Sequence, residues 1–135
     1  ELLFPLAKVI TPNIYEASVL TGINIEDVED MEEAAGRLKE MGPEVIIITG
    51  GHLEEVRSDG ETLDLLYDGT KFHRLTGERI AGEYHGTGCA FSAAITAVLA
   101  IGHTPLESAR KAKEFMNEAI KKAYHLGKGM RLLNL

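Results

Sequence analysis

The sequence has little cysteine, little basic charge and no long uninterrupted apolar run. A single cysteine in 135 residues cannot form an internal disulfide, which favours a reducing compartment. The longest apolar run, Cys89 to Ile101, contains Ser92 and Thr96 and is too short to span a bilayer. No basic segment leads into an apolar stretch at the N-terminus, so no signal peptide is visible. We therefore expect a soluble cytoplasmic protein with no membrane partner.

Basic residues are outnumbered, with 14 Lys and Arg against 21 Asp and Glu and a net charge of −7. Binding to nucleic acid normally needs a basic face, so we expect no nucleic-acid partner. The acidic run from Glu26 to Glu33 lacks the glycine and the ligand spacing of a calcium loop, and a solvated loop explains it. Hydrophobic residues make up 44% and charged residues 26%, which excludes a disordered chain, a coiled coil and a fibre.

The first third of the chain contains signals for a strand and two helices. Ala7 to Ile10 predicts a short buried strand. A helix is predicted next, with Thr11 as its cap, Pro12 at the first helical position and its end at Gly22. Asp30 is the expected cap of the second helix, with Glu33 completing a capping box and a stop at Gly42–Pro43.

A buried strand and a hairpin are predicted next. The β-branched run from 45 to 48 is typical of a strand covered on both faces, and it leads into Thr49-Gly50-Gly51, where the backbone can approach a ligand closely. Asp68-Gly69 between two alternating runs predicts an antiparallel hairpin at the edge of a mixed sheet.

Two helices are predicted in the last third. One begins near Gly88 and is apolar on nearly all sides, so we expect it to be buried. The other is capped by Thr104 with Glu107 in its first turn. Its expected inner stripe is Leu106, Ala109, Ala112, Phe115, Met116, Ala119, Ile120 and Ala123. The order of elements indicates a layered α/β fold.

The segment Gly86-Thr87-Gly88-Cys89 is the strongest chemical signal. Its glycines expose backbone N–H groups where a helix begins, and together with the helix dipole they suit a phosphate or a developing oxyanion. The same field favours the thiolate of Cys89, which would then act as a base or a nucleophile. An ordinary glycine-rich helix start with a small core cysteine is the competing interpretation.

Four motifs together resemble the hydroxymethylpyrimidine/phosphomethylpyrimidine kinases of the ribokinase-like superfamily. They are Thr11-Pro12-Asn13-Ile14-Tyr15-Glu16-Ala17, Gly50-Gly51-His52, Leu66-Tyr67-Asp68-Gly69 and Gly86-Thr87-Gly88-Cys89. The resemblance implies a three-layer α/β/α sandwich. Since members are roughly twice this length, we expect residues 1–135 to be a single domain, the C-terminal half of such a kinase with an edge hairpin, and to be inactive alone.

The resemblance also implies roles for residues. Cys89 would be the general base, and the N–H groups of Gly86, Thr87 and Gly88 would stabilise the charge that develops as the γ-phosphoryl group of ATP is transferred.

On the nucleotide side, Asn13 and Glu16 would hold Mg²⁺ and the phosphates through water, and Gly51 would lie against the nucleotide. A first-turn carboxylate that only stabilises its helix is the alternative for Glu16. Thr49 stands where the family often has a phosphate-binding lysine.

The expected function is ATP-dependent phosphorylation of hydroxymethylpyrimidine and its monophosphate in thiamine biosynthesis. The alternatives are a pyridoxal kinase of the same superfamily and a non-catalytic ligand-binding remnant. The expected partner is a small aminopyrimidine alcohol or its phosphate. The resemblance also allows a homodimer, since sugar kinases of the superfamily often dimerise through elements outside this segment. Residues 130–133 depart from the family's tail pattern, which leaves open whether the tail still closes over the site.

Overall fold

A mixed sheet and two helices make up the first of two units, residues 1–76 and 77–135. The computed structural model describes residues 3–51, 60–82, 84–124 and 129–135. After a 3-10 turn at Phe4–Leu6, the elements are β1 Val9–Ile10, α1 Ile14–Thr21, α2 Val28–Glu40, β2 Val45–Thr49, β3 Glu61–Tyr67 and β4 Phe72–Glu78. Within the described residues, no helix is long and apolar enough to cross a membrane.

The four strands lie in the order β1-β2-β3-β4. β1 runs parallel to β2, with Val9 opposite Val45, and β2 runs antiparallel to β3, with Thr49 opposite Asp64. Parallel and antiparallel pairs in one sheet, with the hairpin strand β4 at its edge, confirm the predicted architecture. Gly69 in the hairpin turn has a φ of +93°, a conformation that favours glycine.

Strand β2 lies in the hydrophobic core of the first unit. Consecutive side chains from Ile46 to Ile48 are fully buried, so both faces of this strand are covered, as its apolar run predicts. One side of the amphipathic helix α2 packs in the same core through Met31, Ala34, Ala35 and Leu38. Periodicity at 3.6 residues placed these four side chains on one face of the helix.

The start of α1 differs from the prediction. Asn13, not Thr11, is the N-cap, and its side chain accepts the N–H of Glu16. The carbonyl of Pro12 accepts the N–H of Thr49 at 2.9 Å, so Pro12 lies beside the strand β2 and outside the helix. Pairing with a distant strand therefore overrides the local preference of proline for the first helical position.

The start of α2 also differs. Asp27, not Asp30, is the N-cap and accepts the N–H of Asp30 at 2.8 Å. The carboxylate of Asp30 accepts the N–H of Glu26 at 2.9 Å. Several acids in this run have suitable spacing, and the extended backbone at Asp27 decides which one caps the helix.

The second unit contains β5 Tyr84–His85, α3 Thr87–Ala100, α4 Pro105–Lys121 and β6 Arg131–Leu132. Helices α3 and α4 pack against each other. As predicted, Thr104 caps α4: its hydroxyl accepts the N–H of Glu107, and the carboxylate of Glu107 accepts the N–H of Thr104.

The burial of α3 does not follow the prediction. Its buried side chains are Phe91 and Ile95, one turn apart on one face, whereas Ala93 and Ala97 are exposed. The prediction of burial on all sides is therefore wrong for this chain, because an apolar composition permits burial but does not supply the covering atoms.

The predicted stripe of α4 is correct for Ala109, Ala112, Met116 and Ala119, which are buried. Phe115 is 43% exposed, so its place in the stripe is wrong. Ser108 and Lys113 are buried on this helix.

Candidate functional site

The residues that the sequence singles out fall into two groups. Asn13, Glu16, Thr49 and Gly51 lie in the first unit, and the loop from Gly86 to Cys89 lies in the second. Within each unit the fold brings these residues close to one another.

The start of α1 holds two of the predicted residues in one hydrogen-bonded pair. The Oδ1 atom of Asn13 accepts the N–H of Glu16 at 2.8 Å, and the Oε2 atom of Glu16 accepts the N–H of Asn13 at 2.9 Å. Both side chains are exposed. This reciprocal capping box stabilises the helix start and keeps an amide oxygen and a carboxylate beside each other at the surface.

Thr49 joins this pair from the end of β2. It forms a parallel bridge with Asn13, and it donates its backbone N–H to Pro12. Ligands of α/β proteins bind preferentially beyond the carboxyl ends of parallel strands, which is where these residues meet. The sequence named Asn13, Glu16 and Thr49 separately, and the pairing of β1 with β2 brings them together.

The two glycines after β2 have different environments. Gly50 is buried, and an added Cβ would collide with the carbonyl oxygen of Leu63. Among the atoms of the described residues, none lies within 4 Å of a Cβ added to Gly51. Within the described part of the chain, Gly51 therefore leaves the strand end open to the close ligand approach that the sequence predicts. His52 of the same motif lies outside the described residues.

Asp64 also belongs to this region, although no sequence motif singles it out. Asp64 is 8% exposed and lies opposite Thr49 in the sheet, and its carboxylate accepts the N–H of Gly50 at 3.1 Å. An acid within the otherwise apolar run from Leu63 to Leu66 was the available signal, because buried carboxylates need hydrogen-bond donors.

An apolar groove of about 440 Å³ lies beside α1. It is lined by Phe4, Ile10, Thr11, Pro12, Tyr15, Glu16, Val19 and Leu20. Among the described lining residues Glu16 is the single acid, so the capping box lies next to a largely apolar surface.

The loop that enters α3 starts with a left-handed glycine. Gly86 is the N-cap with a φ of +85°, which favours glycine over any residue with a side chain. Within residues 84–124, which the structure describes, no side chain accepts a hydrogen bond as a cap of this helix. Its first-turn N–H groups therefore have no competing side-chain acceptor at the cap.

The electrostatics of this helix start differ from those of the other described helices. The first turns of α1, α2 and α4 each contain at least one carboxylate, and the first turn of α3 contains none. The positive end of its dipole is therefore not neutralised by an acid of its own. Cys89, the third residue of α3, is exposed at this end. His85 precedes the loop and is also exposed.

The tail lies beside this loop's entrance. β6 pairs in parallel with β5, with His85 opposite Leu132. The altered residues of the tail therefore still place a strand next to the segment that leads into Gly86.

Among the described residues, no group of three or more His, Cys, Asp or Glu side chains could hold a metal ion. Asn13 supplies an amide oxygen and Glu16 supplies a carboxylate. Both donor types suit Mg²⁺, for which water would complete the coordination shell.

Comparison with known proteins gives a consistent family. Residues 1–134 match the family described as phosphomethylpyrimidine kinase. The chain is 41% identical over 130 residues to a hydroxymethylpyrimidine/phosphomethylpyrimidine kinase of Bacillus subtilis, covering 96% of this chain and 47% of that protein. It is 44% identical over 128 residues to a pyridoxine kinase of the same organism, covering 93% and 46%.

A solved structure shows the same fold. The pyridoxal kinase from Staphylococcus aureus in complex with AMP-PCP and pyridoxal superposes with a TM-score of 0.91 at 37% identity, covering 98% of this chain and 49% of that one. The fold is thus α/β and ribokinase-like, as the motifs implied. The chain spans about half the length of these relatives.

Proposed function

Because the chain belongs to the phosphomethylpyrimidine kinase family, we propose that the whole protein transfers the γ-phosphoryl group of ATP to hydroxymethylpyrimidine and to its monophosphate. The observation that carries this proposal is the start of α3, where the family motif forms a left-handed glycine cap with no acid in the first turn. Such a helix start suits a transferred phosphoryl group, since charge on its oxygens meets N–H groups and a positive dipole end.

In this proposal the loop and its cysteine act together. The acceptor oxygen forms a bond to the γ-phosphorus as the bond to the ADP oxygen breaks, and the acceptor's proton passes to the Sγ atom of Cys89. The N–H groups of Gly86, Thr87 and Gly88 stabilise the charge of the transition state. The exposure of Cys89 at the third position of α3 is compatible with this role.

The residues at the ends of β1 and β2 are assigned to the nucleotide side. Asn13 and Glu16 would hold Mg²⁺ through water, and the ion would neutralise phosphate charge. The Thr49 hydroxyl would hydrogen-bond a phosphate without adding charge, which predicts weaker contact than a lysine would give. The open space at Gly51 would accommodate the nucleotide.

A pyridoxal kinase is the second candidate. It is favoured by the similarity to a pyridoxine kinase and by the superposition on a pyridoxal kinase whose complex contains pyridoxal. The substrate assay below separates the two acceptors.

The test uses the natural gene product, with its intact mass measured first. Transfer from Mg-ATP is assayed with hydroxymethylpyrimidine, its monophosphate and pyridoxal as separate acceptors. Preference for the pyrimidines supports the proposal, and preference for pyridoxal replaces it with the second candidate. Binding of Mg-ATP with no transfer to any acceptor would indicate a non-catalytic binding protein.

The role of Cys89 is tested by Cys89→Ala. We expect a fall in kcat of about 100-fold or more, as is typical for loss of a general base, with an unchanged dissociation constant for Mg-ATP. Thr96→Ala, in the same helix beyond its first turns, is the matched control and should retain normal turnover. Unchanged kcat in Cys89→Ala would eliminate the base assignment while leaving the kinase proposal to the substrate assay.

A further inference from the structure

The strand that leads into the Gly86 loop depends on the C-terminal tail. β5 contains two residues and ends directly before Gly86, and it pairs in parallel with β6, where Tyr84 lies opposite Arg131. A pair of strands this short has little stability of its own. The direction in which β5 enters the loop must therefore be fixed by further contacts.

The backbone of β6 supplies one set of these contacts. Leu132 exchanges two hydrogen bonds with Tyr124, of 3.1 and 3.0 Å, and the N–H of Asn134 donates to the carbonyl of Ala119 at 3.4 Å. Ala119 lies in the last turn of α4, and Tyr124 follows the end of this helix. Helix α4 in turn packs against α3. β6 thus connects β5 to the helices α3 and α4, and α3 contains the C-terminal part of the Gly86–Cys89 loop.

Side chains supply the second set of contacts. The guanidinium carbon of Arg131 lies 5.9 Å from the centroid of the Tyr84 ring, and its Nη1 atom lies 3.5 Å from the Tyr84 hydroxyl. That hydroxyl donates to the carbonyl of Ala81 at 3.0 Å. A Cβ on Gly82 would come within 2.9 Å of the same oxygen. Tyr84 is therefore held by a hydrogen bond to the backbone of Ala81 and by its contact with Arg131 of the tail, and its hydroxyl occupies the space that a side chain at Gly82 would need.

We propose that Arg131 is a positioning residue for the phosphoryl-transfer loop, acting through Tyr84 to fix the path of the chain into Gly86. The proposal rests on the proposed function, because it assigns the loop's N–H groups to the transferred phosphoryl group. A loop of two glycines and a threonine has little intrinsic order, and small displacements of such donors reduce transition-state stabilisation. Contact between the tail and Tyr84 limits those displacements.

The experiment compares Arg131→Ala and Arg131→Lys in the natural gene product. Arg131→Ala should accelerate hydrogen exchange of the amides from Gly86 to Ala90 by roughly ten-fold, since local opening becomes easier. It should lower kcat by roughly ten-fold with the KM for ATP within about two-fold of normal, because the loss concerns the transition state. Arg131→Lys keeps a cation near the ring and should restore part of both.

Two further variants control the interpretation. Arg110→Ala removes an exposed arginine from α4 and should change neither readout. Tyr84→Leu removes the ring and should accelerate exchange at the same amides, and adding Arg131→Ala to it should have little further effect if the two side chains act together.

The outcomes separate this proposal from the proposed function. Unchanged exchange of the loop amides in Arg131→Ala would overturn the positioning role whatever the activity. Equal acceleration along all of α3 and α4 would also overturn it, since that indicates general destabilisation. Absence of phosphoryl transfer in the unaltered protein would overturn the proposed function alone, because the exchange measurement needs no activity.

Discussion

Asp68 makes more contacts in the hairpin turn than an Asp-Gly pair requires. Its Oδ1 atom accepts the hydroxyl and the N–H of Thr70 and the N–H of Lys71, and its Oδ2 atom lies 2.9 Å from the Nε2 atom of His73. These donors favour the carboxylate, and the Thr70 hydroxyl first among them holds the pKa of Asp68 well below its usual value.

This lowered pKa predicts a pH-dependent stability. The carboxylate contribution is present above the usual pKa of 3.8 and is lost as the pH falls towards the lower pKa of the folded state. We expect Asp68→Asn to lose stability at about pH 6 but to show a smaller further loss at about pH 3 than the unaltered protein. Urea unfolding at both pH values measures this. An identical acid response in both proteins would contradict it.

The glycines after β2 give a second residue-scale prediction. Gly50→Ala should destabilise the fold by about 1–3 kcal/mol, the usual cost of overpacking, because its Cβ meets the backbone of Leu63. Gly51→Ala is the matched control and should change stability by less than about 0.5 kcal/mol. Chemical denaturation of both variants checks this. Equal losses would show that the space beside Gly51 is filled.

At the scale of elements, two helices begin with the same reciprocal capping box. α1 uses Asn13 with Glu16, and α4 uses Thr104 with Glu107. The first box lies beside the end of β2, where the nucleotide side of the proposed site is placed. This repetition allows a structural role and a binding role to be separated.

We expect Asn13→Ala and Thr104→Ala each to cost about 1 kcal/mol of stability through loss of the cap. Only Asn13→Ala should weaken binding of Mg-ATP, because it also removes an oxygen donor from the proposed site. Thermal unfolding and isothermal titration measure the two effects. Equal weakening of binding in both variants would show that Asn13 contributes only to helix stability.

Helix starts were the least predictable elements. The sequence assigned the caps to Thr11 and Asp30, and the structure assigns them to Asn13 and Asp27. Each segment contains several residues able to cap a helix, and local patterns do not rank them. The decision came from backbone pairing to β2 in the first case and from the extended backbone at Asp27 in the second.

At the scale of the whole molecule, the net charge of the chain is negative, whereas the field at the start of α3 is positive. A net charge of −7 does not favour binding of a nucleotide. The absence of acids from the first turn of α3 leaves a local positive end in an acidic chain. Anion recognition by this protein would therefore depend on backbone donors and a bound cation more than on its overall charge.

The two units contain different parts of the proposed machinery. Residues of the nucleotide side lie in residues 1–76, and the phosphoryl-transfer loop and the tail lie in residues 77–135. The chain also spans about half of the length of the relatives described above. Activity is for this reason a property to be tested in the natural gene product.

Local patterns along the chain were enough to predict the buried strand β2, the Asp68-Gly69 hairpin, the cap of α4 and the loop from Gly86 to Cys89. These features depend on periodicity and turn chemistry among neighbouring residues, which can be read along the chain. Tertiary structure decided the contact of Asn13 with Thr49, the burial of Gly50 against Leu63, and the pairing of β6 with β5. Each of these joins residues far apart in the sequence, and no local pattern specifies which distant backbone groups will satisfy each other's hydrogen bonds.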